Sequence, residues 1–127
     1  MNLITRTLIV SLFSILFGCN ANAQYKNIDA DAFAKAVKTE KAIVIDVRTE
    51  GEVAEGFISG TTVFANVNGP DFMQKIKALD PTKTYIVYCR SGARSARASE
   101  ILTNNGFKKV YNLNGGIMNW RGDITKP

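Results

Sequence analysis

The sequence predicts an α/β domain in which a parallel sheet is flanked by helices on both faces. Segments 42–47 and 84–88 are short, almost uninterrupted apolar runs, as strands buried on both faces are. Segments with helical periodicity precede and follow each of these runs. Such alternation is typical of a parallel sheet covered by helices. In such sheets, ligands bind beyond the carboxyl ends of the strands.

The first half of the domain opens with a predicted helix. Asp29 is a favourable N-cap residue, and an apolar stripe at helical spacing follows it. The stripe consists of Phe33, Ala36 and Val37. The buried strand 42–47 comes next, and a weaker strand is predicted over 63–67. Gly69-Pro70-Asp71 begins a second helix, which Asp80-Pro81 ends because proline cannot continue the hydrogen-bond ladder.

The second half repeats this pattern around the strand 84–88. A helix is predicted over 93–104, and Gly106 is its natural left-handed terminator. Beyond it lie a last strand over 110–113 and, after Gly115-Gly116, a short helix that holds Ile117 and Trp120. Because no repeat or second apolar stretch interrupts the pattern, we expect a single domain.

Residues 1–23 have the pattern of a secretory signal peptide. One cation, Arg6, precedes an apolar stretch that is too short to span a bilayer, and the small residues of Ala21-Asn22-Ala23 fit a signal-peptidase site. We therefore expect an exported, periplasmic protein whose domain covers 24–127. The segment before Cys19 also resembles a lipoprotein signal. In that alternative Cys19 is acylated, and this anchor is the only membrane contact that we expect.

The composition excludes several kinds of site. The chain has two cysteines and no histidine, which rules out Cys–His catalysis and an imidazole metal site. We therefore expect no metal and no cofactor. The formal net charge of +5 falls to +4 when Arg6 is removed with the signal peptide, and this balance favours small anions. The cations are spread along the chain, so we expect no nucleic-acid partner.

Cys89 is the candidate nucleophile, and it is the one thiol left once the signal peptide is removed. It directly follows the strand 84–88 and precedes a helix start, where backbone N–H groups and the helix dipole stabilise an anion. Such surroundings lower the pKa of a cysteine from about 8.5 and so populate the reactive thiolate. Gly92 tolerates the positive φ that such a loop needs, and Arg90 and Arg94 supply positive charge. The alternative is an inert buried cysteine.

We call residues 89–95 the thiol loop. The predicted substrate-binding residues are Arg90, Ser91, Gly92, Ala93, Arg94 and Ser95. Asp46 and Arg48 end the strand 42–47 at the same sheet edge, and we expect them to support the loop. A buried, unpaired carboxylate is costly, so Asp46 should pair with an arginine or accept backbone N–H bonds. Arg48 is either that partner or a second contact for an anion.

Three motifs resemble the signatures of rhodanese domains, in the order of that family. The first runs from Ile45 through Glu52 to Gly60, the second is the thiol loop, and the third runs from Leu113 to Trp120. The likeness covers nearly all of 24–127 and is greatest for small, single-domain, exported thiosulfate sulfurtransferases. The family often has histidine where this chain has Phe57 and proline where it has Ser59, so we expect changed packing there.

The resemblance implies a rhodanese-like fold and a ping-pong transfer of sulfur. Cys89 would attack the outer sulfur of thiosulfate or a similar anionic donor, release sulfite and carry a persulfide. A thiol, or cyanide in assays, would then accept the sulfur. The loop amides would stabilise the persulfide, and Arg90 and Arg94 would hold the sulfonate end of the donor. We expect the protein to be a monomer.

Two other functions are compatible with parts of this pattern. A persulfide carrier or binding module with little turnover would have the same thiol loop. A cysteine-dependent phosphatase has the spacing Cys-x5-Arg, which would require arginine at the position of Ser95. The shorter ring of this chain suits a sulfur atom better than a phosphoryl group.

Overall fold

The computed structural model describes residues 24–127. The predicted signal peptide 1–23 and Cys19 lie outside the described residues, so export and lipidation stay predictions. Within 24–127, none of the helices has the length and apolar character that crossing a membrane requires. The strands are β1 (Lys26–Ile28), β2 (Ile43–Asp46), β3 (Phe57–Ile58), β4 (Thr61–Phe64), β5 (Thr84–Tyr88), β6 (Lys109–Leu113) and β7 (Ile124–Thr125). The helices are α1 (Ala30–Thr39), α2 (Glu50–Ala54), α3 (Phe72–Lys77), α4 (Ala93–Asn104) and a 3-10 helix (Ile117–Asn119).

Five parallel strands form the main sheet, in the order β1-β6-β5-β2-β4. The two buried runs of the sequence are its central neighbours, and their register pairs Asp46 with Tyr88. The Val47 N–H then donates to the Tyr88 carbonyl oxygen at 3.1 Å. The carboxyl ends of β2 and β5 are therefore level, which confirms that Asp46 and Cys89 reach the same sheet edge.

Helices cover both faces of this sheet, as predicted. On one face, α1 contributes the buried Phe33 and Ala36, beside the residues of the 3-10 helix. On the other face, α3 and α4 pack their apolar residues against the sheet. The prediction that Val37 belongs to the buried stripe is wrong, because this side chain is 40% exposed.

The weaker strand begins earlier than predicted, since β4 covers Thr61–Phe64 rather than 63–67. The Thr61 hydroxyl donates to the Ile58 carbonyl oxygen at 2.6 Å and lies 3.0 Å from the Tyr88 hydroxyl. Tyr88 also accepts a hydrogen bond from the Ile58 N–H at 3.1 Å. These buried polar contacts fix the start of β4, and apolar patterning does not reveal them.

A small antiparallel pair, β3 and β7, lies outside the main sheet and was not predicted. Of the two positions at which the chain departs from the rhodanese pattern, Phe57 lies in β3 and Ser59 directly follows that strand. Phe57 packs edge-on against Phe64, with ring centroids 4.9 Å apart. The Ser59 N–H donates to the Asp123 carbonyl oxygen at 3.0 Å, a bond that proline could not make. The change of packing relative to the family stays a prediction.

Candidate active site

The thiol loop connects β5 to α4 at the carboxyl edge of the sheet. Cys89 follows the last residue of β5, and α4 begins at Ala93. Gly92, between them, has φ of +110°, the left-handed conformation that favours glycine. The loop thus turns sharply enough to bring the first N–H groups of α4 back toward the cysteine.

The sulfur of Cys89 accepts hydrogen bonds inside this turn. The Gly92 N–H donates to Sγ at 3.1 Å, and the Ser95 hydroxyl donates to it at 3.3 Å. The side chain is 0% exposed, as the alternative of an inert cysteine predicts. An inert cysteine in apolar surroundings lacks such donors, however, so burial alone does not describe this thiol.

These hydrogen bonds lower the pKa of the thiol. Burial raises the pKa of Cys89, but the Ser95 hydroxyl and the backbone N–H groups of Ser95, Gly92 and Ser91 lower it by more. The net pKa lies below the ordinary value, which favours the thiolate. The sequence predicted that Arg90 and Arg94 share this task. The hydrogen bonds are the larger causes of the shift, although the charges of Arg94 and Cys89 also interact.

The 3-10 helix holds the start of the thiol loop from outside. The Ile117 N–H donates to the Cys89 carbonyl oxygen at 2.9 Å, and the Met118 N–H donates to the Arg90 carbonyl oxygen at 3.0 Å. In a trans peptide the C=O and N–H point in opposite directions. Because both carbonyls point outward, the N–H groups of Arg90 and Ser91 point toward the interior of the loop.

Gly116 makes this close approach possible. A Cβ atom at this position would lie 2.5 Å from the carbonyl oxygens of both Cys89 and Arg90. Its φ of +60° also lies in the left-handed region. Only glycine therefore lets the 3-10 helix reach the thiol loop without displacing its backbone.

Asp46 and Arg48 form a buried pair behind the loop. The Arg48 Nη2 and Nε donate to the Asp46 carboxylate at 2.7 Å and 3.0 Å, and the Arg48 N–H donates to it at 2.9 Å. Asp46 is 0% exposed and Arg48 is 7% exposed. Arg48 also donates to the Gly56 carbonyl oxygen at 2.7 Å. Arg48 is thus the partner of Asp46, which settles the alternative that the sequence left open.

Arg94 is engaged by a carboxylate from α2. Its Nη1 and Nη2 donate to Oε1 and Oε2 of Glu52 at 2.7 Å and 2.8 Å. The two side chains are 26% and 27% exposed. Arg94 holds the pKa of Glu52 at about 2, so Glu52 is ionised at neutral pH. The sequence analysis assigned Arg94 to binding the anionic sulfur donor, but its guanidinium already binds the carboxylate of Glu52.

The remaining members of the thiol loop are solvent-facing. Arg90, Ser91 and Ala93 are exposed. Among the described residues, no group of three or more Cys, Asp or Glu side chains could hold a metal ion. A cavity of about 640 Å³ borders α2, but no thiol-loop residue lines it.

The comparisons with known proteins agree with this arrangement. A family model described as the rhodanese-like domain matches residues 29–123. The chain belongs to the rhodanese-like family. A putative sulfurtransferase, YtwF of Bacillus subtilis (strain 168), is 37% identical over 105 residues, covering 82% of this chain and 97% of that protein.

Two further comparisons give the same result. The thiosulfate sulfurtransferase GlpE of Pseudomonas fluorescens (strain SBW25) is 36% identical over 99 residues, covering 78% of this chain and 87% of that protein. The crystal structure of a rhodanese-related protein from Thermoplasma volcanium superposes with a TM-score of 0.71 at 28% identity, covering 81% of this chain and all of that one. The predicted rhodanese-like α/β fold is confirmed.

The sequence analysis did not identify three residues that contribute to this rhodanese-like site. Glu52 was recognised only as part of a motif, and its contact with Arg94 joins residues 42 positions apart. Ile117 and Met118 act through their backbone N–H groups, so their side chains carry no signal. The adjacent Gly116 is the sequence signal for this contact, because a glycine there allows the 3-10 helix to approach the backbone of the thiol loop closely.

Proposed function

We propose that the protein is a rhodanese-type sulfurtransferase that moves a sulfane sulfur from thiosulfate, or a similar anionic donor, to a thiol or cyanide. The observation that carries this proposal is the hydrogen-bonded sulfur of Cys89, which accepts from Gly92 and Ser95 within a family-typical loop. The sulfurtransferase names of YtwF and GlpE support the same class of reaction.

In the first half-reaction, the Cys89 thiolate attacks the outer sulfur of thiosulfate. A sulfur–sulfur bond forms to Sγ, the sulfur–sulfur bond of thiosulfate breaks, and its electron pair leaves with sulfite. Cys89 then carries a persulfide whose terminal sulfur is anionic. Total charge is conserved, since a thiolate and a dianion give a persulfide anion and a dianion. The loop N–H groups that stabilise the thiolate also stabilise this product.

In the second half-reaction, an acceptor thiolate or cyanide attacks the terminal sulfur of the persulfide. The new bond forms to the acceptor, and the electron pair of the broken bond returns to Sγ of Cys89. The loop therefore has to stabilise negative charge on Sγ at the start and at the end of each cycle. Donors fixed by backbone geometry suit this task because they do not reorganise between steps.

Access to the sulfur passes through the exposed part of the loop. Cys89 has no exposed area, whereas Arg90, Ser91 and Ala93 above it face solvent. The outer sulfur of a donor thus reaches Sγ when the loop opens between these residues. The exposed Arg90 is the cation best placed to meet the donor on this path.

Steady-state kinetics with thiosulfate and either cyanide or a dithiol tests the proposal. We expect many turnovers for each protein molecule and no turnover for Cys89→Ser, with the far-UV circular dichroism of the variant unchanged. Stoichiometric loading of Cys89 without turnover would instead assign the protein to the persulfide carriers. A Cys89→Ser variant that retained turnover would exclude Cys89 as the nucleophile.

We further propose that residues 1–23 direct export to the periplasm, with cleavage after Ala23. The mature N-terminus of protein recovered from a periplasmic extract would then be Gln24. A lipid-modified Cys19 at the N-terminus would establish the lipoprotein alternative, and an intact Met1 on protein in the cytoplasm would contradict export.

A further inference from the structure

The charges around the thiol loop are arranged in pairs. Arg48 is matched by Asp46, and Arg94 is matched by Glu52. Among the described residues, Arg90 is the thiol-loop cation without a hydrogen bond or salt bridge from its side chain, and it is exposed. When Cys89 is ionised, the thiol loop and its paired carboxylates are thus close to neutral. A donor with two negative charges therefore meets a site that offers one unpaired cation and already holds a thiolate.

The carboxylate of Glu52 occupies Arg94 in the way that a tetrahedral anion would. Both of its oxygens accept from the two Nη atoms of the guanidinium, which is the bidentate geometry that arginine offers to anions. Glu52 is also held in place, because its Oε1 lies 3.1 Å from the Thr49 hydroxyl. The backbone N–H of Glu52 donates a hydrogen bond to the Thr49 Oγ1 at 3.2 Å. The pair is thus formed before any donor arrives.

We propose that Glu52 is a specificity-determining residue that sets the charge of the preferred sulfur donor. By neutralising Arg94, it disfavours dianionic donors such as thiosulfate relative to donors of the same chemistry that carry one negative charge. This inference rests on the proposed sulfurtransferase function. It predicts that the protein uses monoanionic sulfane-sulfur donors better than its resemblance to thiosulfate sulfurtransferases implies.

Two sulfur donors that react in the same way but differ in net charge test this proposal. Thiosulfate is a dianion that transfers its outer sulfur and leaves as sulfite. Methanethiosulfonate is a monoanion in which a methyl group replaces one oxyanion, and it leaves as methanesulfinate. In both reactions the Cys89 thiolate forms one sulfur–sulfur bond while the donor breaks one, and the electron pair leaves with sulfite or methanesulfinate. The ratio of kcat/KM for thiosulfate to kcat/KM for methanethiosulfonate therefore reports how the site responds to one additional negative charge.

Glu52→Gln is the test variant, because it removes the charge and keeps the length of the side chain. We expect the ratio to rise about tenfold, the size of one uncompensated charge a few ångströms away in a partly screened site. Since both constants come from one preparation, partial unfolding or inactive protein cancels in the ratio. In the double variant that adds Arg94→Gln, the ratio should fall back to the wild-type value or below it.

Glu40→Gln is the matched control. Glu40 pairs with Lys109 and is 26% exposed, like Glu52, but it lies away from the thiol loop. This variant makes the same change in net charge, so an unchanged ratio would show that the effect is local. A Glu52→Gln ratio equal to that of wild type would overturn the inference while leaving the proposed function intact. No transfer from either donor in the wild-type protein would instead refute the proposed function itself.

Discussion

The hydroxyl of Ser95 lies 3.3 Å from the sulfur of Cys89 and 3.1 Å from the carbonyl oxygen of Gly92. A hydroxyl has one proton to donate, so it serves one of these acceptors at a time. We expect it to turn to the sulfur when Cys89 is ionised and to the carbonyl when the thiol is protonated. The Ser95 hydroxyl thus adds a side-chain donor from α4 to the backbone N–H groups of the loop.

Replacing Ser95 with alanine should raise the pKa of the Cys89 thiol. A hydrogen bond to a charged group contributes about 1.5–3 kcal/mol, and about 1.4 kcal/mol corresponds to one pKa unit, so we expect a rise of about one to two units. The pH dependence of the alkylation rate of the thiol measures this pKa. Ser99→Ala is the control, because Ser99 is a buried serine of the same helix that donates to the Ser95 carbonyl oxygen. An unshifted pH profile in Ser95→Ala would show that the Ser95 hydroxyl does not lower the pKa of Cys89.

Replacing Gly116 with alanine should disturb the thiol loop from outside. The new Cβ would lie 2.5 Å from two carbonyl oxygens of the loop, so we expect a loss of about 3 kcal/mol in the free energy of unfolding together with a raised Cys89 pKa. Urea unfolding and thiol titration measure the two effects.

Gly60→Ala is the control for this substitution. Gly60 has φ of +93°, but nothing lies within 4 Å of its Cβ position. We expect a loss of about 1–2 kcal/mol from backbone strain alone and no change in the thiol pKa. Equal thiol titrations in the two variants would contradict the role given to the 3-10 helix.

Replacing Asp46 with asparagine should destabilise the fold strongly. The substitution leaves the Arg48 guanidinium buried without its counter-charge, and breaking such a pair costs about 3–5 kcal/mol. Asp71→Asn is the matched control, since Asp71 forms an exposed pair with Lys75 at 3.5 Å, and exposed pairs contribute about 0–1 kcal/mol. Urea unfolding at neutral pH measures both losses. Similar losses of unfolding free energy in the two variants would show that the buried Asp46–Arg48 pair contributes no more to stability than an exposed pair.

The pair of Glu52 and Arg94 should contribute stability that depends on pH. Arg94 lowers the pKa of Glu52 from an ordinary value of 4.5 to about 2 in the folded protein. A lowered carboxyl pKa gives stability that is fully present above pH 4.5 and is lost as the pH falls toward 2. The free energy of unfolding of wild type and Glu52→Gln, measured across this range, should therefore converge as the pH falls. A constant difference between them would contradict the assigned pKa.

The strand and the helix on either side of Cys89 were predicted correctly, because the local sequence patterns at this place agree with one another. The strand at 84–88 and the helix at 93–104 have the predicted bounds, since a dense apolar run, a turn glycine and a helical stripe follow in order. The strands β1, β3 and β7 have only two or three residues each. Their pairing depends on partners far along the chain, so no local pattern predicts them.

Some features of the candidate site could likewise be predicted from the local sequence, and others could not. Cys89, the loop glycine and the pairing of Asp46 follow from residue types at the end of strands. The contact between Arg94 and Glu52 joins residues 42 positions apart, and the support from Ile117 runs entirely through backbone atoms. The sequence placed Cys89 correctly at the carboxyl edge of the sheet. Distance along the chain and the absence of a side-chain signal explain why it did not reveal what holds the thiol loop or which residue pairs with Arg94.

The central claim is that Cys89 accepts a sulfur atom as a stabilised persulfide. The most direct test is the intact mass of the purified protein before and after incubation with thiosulfate or methanethiosulfonate. The account predicts a gain of one sulfur atom that maps to Cys89, is reversed by cyanide and is absent in Cys89→Ser. An unchanged mass with both donors, for protein whose thiol is fully reduced, would contradict it.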